Sequence, residues 1–320
     1  MSTTAVLDDE SVDTLTQHSV TPGDRLQAET TAVRLHIRWP GIRKTLDSSQ
    51  RQRACDAFEA DLKSLSAAKK LLDTSHPKFK AASKVRSQAI AYWRGITLPY
   101  IETGVRLIRR GDVTSCDAQM AQFRDELAAA VKQLDDCYGE LIQQARARLG
   151  DLFSSEDYPA SLTDLFEIRW DYPSCTPPEY LRTVAPDLYQ AECLRVRQQF
   201  SEAVELAESA FADELATLVN HLADKLAGED DGKPKVFRDS AVTNLLEFFE
   251  RFQKLNINSD DQLDSLVERA RGVVSGVRPQ NLRDQATLRR EVSDRLSQVS
   301  TSLDHWMSDR PRRSILRRAR

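Results

Sequence analysis

No stretch of this 320-residue chain approaches the ~20 consecutive apolar residues that a membrane-spanning helix needs, so no membrane span is expected. The opening "MSTTAVLDDESVDTLTQ" has no basic start and no continuous apolar core, so it does not read as a signal peptide. A cytoplasmic protein follows as the expectation. Glycine and proline are scarce, at 11 and 12 residues, which favours long uninterrupted elements. Cysteine is sparse and odd in number. Cys55, Cys116, Cys137, Cys175 and Cys193 are widely spaced, form no C-x-x-C and have no histidine at metal-ligand spacing. They read as free thiols in a reducing compartment.

Motifs of chemistry are missing too. The five histidines, His18, His36, His76, His221 and His305, lie far apart, and no H-E-x-x-H, G-x-S-x-G or G-x-G-x-x-G occurs. "GEDDGK" fails as a phosphate loop, because three residues rather than four separate its glycines and Pro234 stands where Ser or Thr is needed. "INSDDQLD" lacks the spacing and glycine of a calcium loop, and its aspartates read as helix caps. No enzyme activity, metal or cofactor is expected.

Charge is plentiful and unevenly laid out. Apolar residues make up 40% and charged residues 29%, and the formal net charge is −4. With a mean hydropathy of −0.50, that suits a soluble protein with much solvated helix surface. Residues 1–30 are polar and acidic, with Asp8, Asp9, Glu10, Asp13, Asp24 and Glu29 against Arg25 alone, and read as a disordered tail with a "TPGD" turn. Between Lys63 and Arg110, eleven cations face only Asp73 and Glu102, and Arg34, Arg38, Arg43, Lys44, Arg51 and Arg53 come just before. The chain ends in "DRPRRSILRRAR". Candidate anion- or partner-binding residues are therefore Arg310, Arg312, Arg313, Arg317, Arg318 and Arg320 in the tail and Lys78, Lys80, Lys84 and Arg86 in the basic region. Such asymmetry points to directional contact with something anionic. The planar arginine fork suits phosphate or carboxylate. Yet no aromatics interleave with the tail arginines, and no nucleic-acid fold motif is present.

Periodicity outlines the body. "VRLHIRW" alternates, with Val33, Leu35, Ile37 and Trp39 opposite Arg34, His36 and Arg38, so it predicts a half-buried strand. "FEIRWDY" alternates in the same way, and both segments can pair with the region around Val105–Ile108. Helices are predicted over about Ser49–Leu72 and Pro77–Trp93. A third, opened by Asp117, carries an unbroken stripe from Met120 to Leu152, and a fourth covers Asp187–Leu226. The stripe of the fourth steps by 4, 4 and 3 from Val196 to Leu226, a period of eleven that favours straight pairing. The two longest helices are expected to form an antiparallel hairpin or bundle. Helices after Ser240, after the "SDDQ" cap and up to Trp306 complete the chain. The four tryptophans, Trp39, Trp93, Trp170 and Trp306, read chiefly as core residues.

The fold class is thus mainly α, with long antiparallel helices in a coiled-coil-like hairpin or bundle and a small β-strand cluster. The expected division is an acidic tail (1–30), a main helical domain (31–227), a linker (228–235), a C-terminal helical subdomain (236–309) and the arginine-rich tail (310–320).

Three stretches, "VRLHIRWPG", "DGKPKVFRDSAVTNLLEFFERFQKLNI" and "DRPRRSI", together resemble a family of uncharacterised, largely helical bacterial and phage proteins, a domain of unknown function, over about 31–315. The resemblance carries over no catalytic residue or cofactor. It implies a setting near a MoxR-type AAA+ ATPase and a von Willebrand A-type protein. The expected role is a non-enzymatic cytoplasmic interaction or scaffold protein, a partner or substrate of such an ATPase, with homo-oligomerisation allowed by the long helices. The alternative is a nucleic-acid-binding protein that uses the basic 34–110 region and the arginine tail.

Overall fold

The computed structural model describes residues 20–228 and 238–309. The acidic tail up to residue 19, all but the first residue of the expected linker and the tail arginines from Arg310 onward lie outside the described residues.

The two alternating segments become neighbouring strands. β1 (Thr30–Arg38) lies between β5 (Val105–Arg109) and β6 (Glu167–Asp171), antiparallel to both, and β4 (Thr97–Pro99) completes the order β4-β5-β1-β6. The register sets Thr31 opposite Ile108 and Ala32 opposite Leu107, then Leu35 opposite Trp170 and Ile37 opposite Ile168. A second ladder joins β2 (Arg43–Thr45) to β3 (Ala68–Lys70).

Eleven helices surround these strands among the described residues. The first five are α1 (Pro22–Glu29), α2 (Ser48–Phe58), α3 (Pro77–Gly95), α4 (Val113–Asp136) and α5 (Tyr138–Leu149). After β6 come α6 (Leu181–Val184), α7 (Pro186–Ala227), α8 (Ser240–Leu255), α9 (Asp261–Val274), α10 (Pro279–Asp284) and α11 (Ala286–Asp309). None of them is long and apolar enough to cross a membrane.

Successive strand residues point to opposite faces, and the four-stranded sheet serves a core on each. On one side Leu98 and Leu107 join Leu26 of α1, the α7 stripe and helices α8–α11. On the other, Val33, Ile108 and Ile168 join Phe79 of α3, Met120, Phe123 and Leu127 of α4, and Tyr138 and Leu141 of α5. Leu107 and Ile108, adjacent in sequence and both fully buried, thus belong to different cores.

Several expectations are corrected. Pro22–Glu29, inside the expected tail, is a helix: "TPGD" is a capping box with proline in the first turn, and Thr21 Oγ1 accepts from the Asp24 N–H. This helix rests tightly on α7, since a Cβ on Gly23 would lie 3.0 Å from Ser201 Oγ and 3.1 Å from its backbone nitrogen. The helix expected over Ser49–Leu72 stops at Phe58, because Glu59 takes a left-handed C-cap (φ 52°) and Ala68–Lys70 is claimed by β2. The third predicted helix opens earlier, at Val113, and breaks at Cys137 (φ −107°, ψ 9°), although its apolar stripe continues through the break.

The long helices do not form the expected hairpin. α4 and α7 lie in different cores, and the main partner of α7 is α11. α7 buries more than a single seam: Ala203, Ala212 and Ala216 join Phe200, Phe211 and Leu215 as it meets α1, α8, α9 and α11. Helices α8–α11 share this core with α7 rather than closing a separate one. The "SDDQ" cap forms one residue later than drawn, with Asp260 accepting from the Gln262 and Leu263 N–H groups.

One buried ion cluster fastens the small ladder to the body. The side chains of Asp157 and Lys69 are 3% and 4% exposed, their charged atoms lie 2.6 Å apart, and Lys44 reaches Asp157 from the solvent side at 2.6 Å. Lys69 also donates to the Leu152 carbonyl at 2.7 Å. Burial alone pushes the Asp157 carboxyl up, but the hydrogen bonds and charges of Lys44 and Lys69 outweigh it and hold the group below the usual carboxylate range. A depressed folded-state pKa stabilises the fold in full above the unfolded value, about 4, and fades as pH falls through the folded value. Asp157→Asn is expected to cost about 3 kcal/mol in denaturant unfolding at neutral pH, by leaving Lys69 buried without its counter-charge. Its stability should also fall less steeply than the wild type's on acidification.

Candidate functional site

The sheet ends at β6, and a groove of about 710 Å³ runs between that strand and α4. Its floor comes from Phe166 and Ile168 of the β6 segment and from Leu127 and Val131, one helical turn apart on α4. Ala128 is an exposed position of the wall. Trp170 is fixed at one end: its Nε1–H donates to Asp117 Oδ1 at 2.8 Å, and the Arg124 guanidinium sits 6.0 Å from its ring centre. Among the described residues, no backbone group of Glu167–Asp171 hydrogen-bonds to any backbone other than that of β1. One edge of β6 is therefore an open row of donors and acceptors beside an apolar floor.

Little in the groove is suited to bond making. No histidine, cysteine, serine or lysine lines it; of its charged side chains, Asp117 and Arg124 are engaged with Trp170, Glu167 pairs with Arg38, and Arg169 completes the set. Cys116, next to Asp117 on α4, is fully buried, and burial pushes its thiol up, away from the reactive thiolate. Burial also raises the phenol of Tyr172, which stays neutral. The chemistry available is contact: apolar burial, backbone pairing and a fixed indole.

The sequence-predicted basic residues do not converge. Lys80 and Lys84 are exposed and one turn apart on α3, whereas Lys78 and Arg86 are half-buried on another side of that helix. Arg86 is committed to packing, its guanidinium 4.9 Å from the centre of the Trp39 ring. The tail arginines lie outside the described residues.

Some cations of the basic first half are paired by what they fold against. Arg34 forms a two-point pair with Asp171 at 3.1 and 2.7 Å, and Arg38 meets Glu167 at 3.3 Å. Lys44 and Lys69 share Asp157, and Arg109 lies 3.8 Å from Glu29. The register places His36 beside Asp171 too, at 3.5 Å. Strand pairing brings the acidic 157–171 segment onto the basic strands and offsets part of the asymmetry that stands out in the linear sequence. The groove itself was missed, because its two walls are far apart in the chain. Only the alternation of "FEIRWDY" hinted at one of them.

No group of three or more potential ligand side chains that could hold a metal ion occurs among the described residues. No family model, curated protein or solved structure matches the chain.

Floor and wall should respond differently to substitution. Ile168→Ala is expected to cost about 2–4 kcal/mol in denaturant unfolding, because it opens a cavity beneath the strand. Ala128→Glu, at an exposed helical position, should change stability by no more than about 0.5 kcal/mol.

Proposed function

We propose that this chain is a non-enzymatic interaction protein that captures an extended segment of a protein partner at β6. The observation that carries the reading is the open β6 edge beside an apolar groove. An added strand would satisfy the free backbone groups, and every second side chain would enter the groove, so main-chain bonds supply affinity and the pockets supply selectivity. Trp170 offers a rigid aromatic contact, already oriented by Asp117, which suits a binding hot spot. The first partner to test is the AAA+ ATPase that the sequence resemblance implies, as partner or as the machine that acts on this chain.

The nucleic-acid reading draws less support from the described residues. Arg34, Arg38, Lys44 and Lys69 of the 34–110 basic region are paired with carboxylates, and the α3 cations are divided between two sides of the helix.

A library of extended peptides selected against the full chain tests the proposal. Selected peptides should slow amide hydrogen exchange at Glu167–Asp171, and Ala128→Glu should weaken them about tenfold or more while leaving the fold intact. A purified MoxR-type ATPase should compete with them. Binding with no protection at β6 and no effect of Ala128→Glu would sink the idea.

A further inference from the structure

At the opposite end of the sheet, where β4 forms the edge, lies a second cavity of about 310 Å³. It sits where the end of α3, strand β4, α7 and α8 meet. Its charged lining comprises Arg94, Arg106, Arg251 and one carboxylate, Glu214. Glu214 is hydrogen-bonded to Arg251. Neither Arg94 nor Arg106 has an acidic partner among the described residues. Three cations against one carboxylate leave two positive charges in excess.

Arg106 is anchored from below. Its Nε donates to Thr97 Oγ1 at 2.7 Å, one terminal nitrogen donates to the Thr97 carbonyl at 2.8 Å, and its guanidinium lies 5.6 Å from the centre of the Trp93 ring. That leaves the other terminal nitrogen uncommitted, on a side chain whose direction is fixed. Burial, together with the nearby charges of Arg94 and Arg251, pulls the Arg106 pKa down to about 10, which leaves it charged at neutral pH. Like charges gathered in a partly desolvated cleft repel one another, and an anion placed among them relieves the repulsion.

We propose that this cleft binds a phosphate dianion, held by Arg94 and Arg106 with Arg251 as the third cation. Two excess positive charges match a dianion. Guanidinium forks approaching from three elements suit a tetrahedral oxyanion better than a single flat carboxylate. Leu98, Phe211 and Leu255 form an apolar wall, and the volume falls at the small end of ligand pockets, about 300–1,000 Å³. Free phosphate and a phosphomonoester with a small organic group present the same dianion. The wall distinguishes them, since only the ester has a group to place against it.

The test uses the full chain, with inorganic phosphate and phenyl phosphate titrated calorimetrically against chloride at matched ionic strength. Saturable binding of either is the expected result. Tighter binding of phenyl phosphate would assign the site to esters, and equal binding would assign it to free phosphate. Arg94 is exposed and outside the core, so Arg94→Gln should fold normally and weaken binding about tenfold or more. Glu214→Gln removes the competing carboxylate and should tighten it. No binding beyond the chloride control, an unchanged affinity in Arg94→Gln, or weaker binding in Glu214→Gln would overturn the proposal. None of these readouts depends on the β6 groove.

Discussion

Everything in this fold hangs on a narrow sheet that must bury both of its faces. Four strands are too few to close into a barrel, and they cannot stand alone in water. Strand β5 resolves this by alternation, with Leu107 turned to the α7 side and Ile108 to the α3–α4 side. The helices accordingly divide into two sets that share one strand layer. The division explains why α4 and α7 do not pair with each other, and why α8–α11 close over α7 instead of standing apart. It also decides where ligands can reach. The middle of the sheet is covered, so both cavities lie at its edges, one beside β6 and the other beside β4.

Charge follows the same logic. Arg34 and Arg38 of β1, and Lys44 and Lys69 of the β2–β3 ladder, meet carboxylates contributed by the 157–171 segment. Where that segment does not reach, at the β4 edge, arginines remain in excess. The fold thus pairs part of the basic stretch with carboxylates and gathers three arginines at the β4 edge. Exposed pairs such as Arg34–Asp171 add little stability in water. They lie at matched positions of the β1–β6 register, Arg34 opposite Asp171 and Arg38 opposite Glu167.

Much of the architecture was legible, and the misses have physical causes. β1 and β6 could be read because period-two alternation survives wherever one strand face is exposed, but only β1 pairs with the Val105–Ile108 strand as expected, and β6 pairs with β1 instead. β3 was not legible: "AKK" carries no pattern, and its strand character comes from backbone pairing with β2. The break at Cys137 was hidden because the apolar stripe runs straight through it, so side-chain spacing was blind to a backbone turn. α1 looked like a tail because its sequence is polar, and only Leu26 and the capping box mark it as structured. Neither cavity could be found in the linear sequence. The groove joins Asp117–Val131 to Thr163–Tyr172, and the arginine cleft joins Arg94 and Arg106 to Arg251, which arrives from α8.

The register of β1 has a consequence for how the chain is made. Arg34 pairs with Asp171, a separation of 137 residues. At a synthesis rate of roughly 5–20 residues per second, β1 leaves the ribosome about 7–27 seconds before its β6 partner exists. α1 waits longer still, because Gly23 seats on Ser201 of α7. Throughout that interval the apolar side of β1 has a neighbour on one edge at most, the condition under which strands join foreign chains. The N-terminal segment is therefore made well before the elements it docks against. Nascent chains of this protein carry an unprotected strand while the roughly 130 residues after β1 are made, and what shields it in that interval bears on their yield.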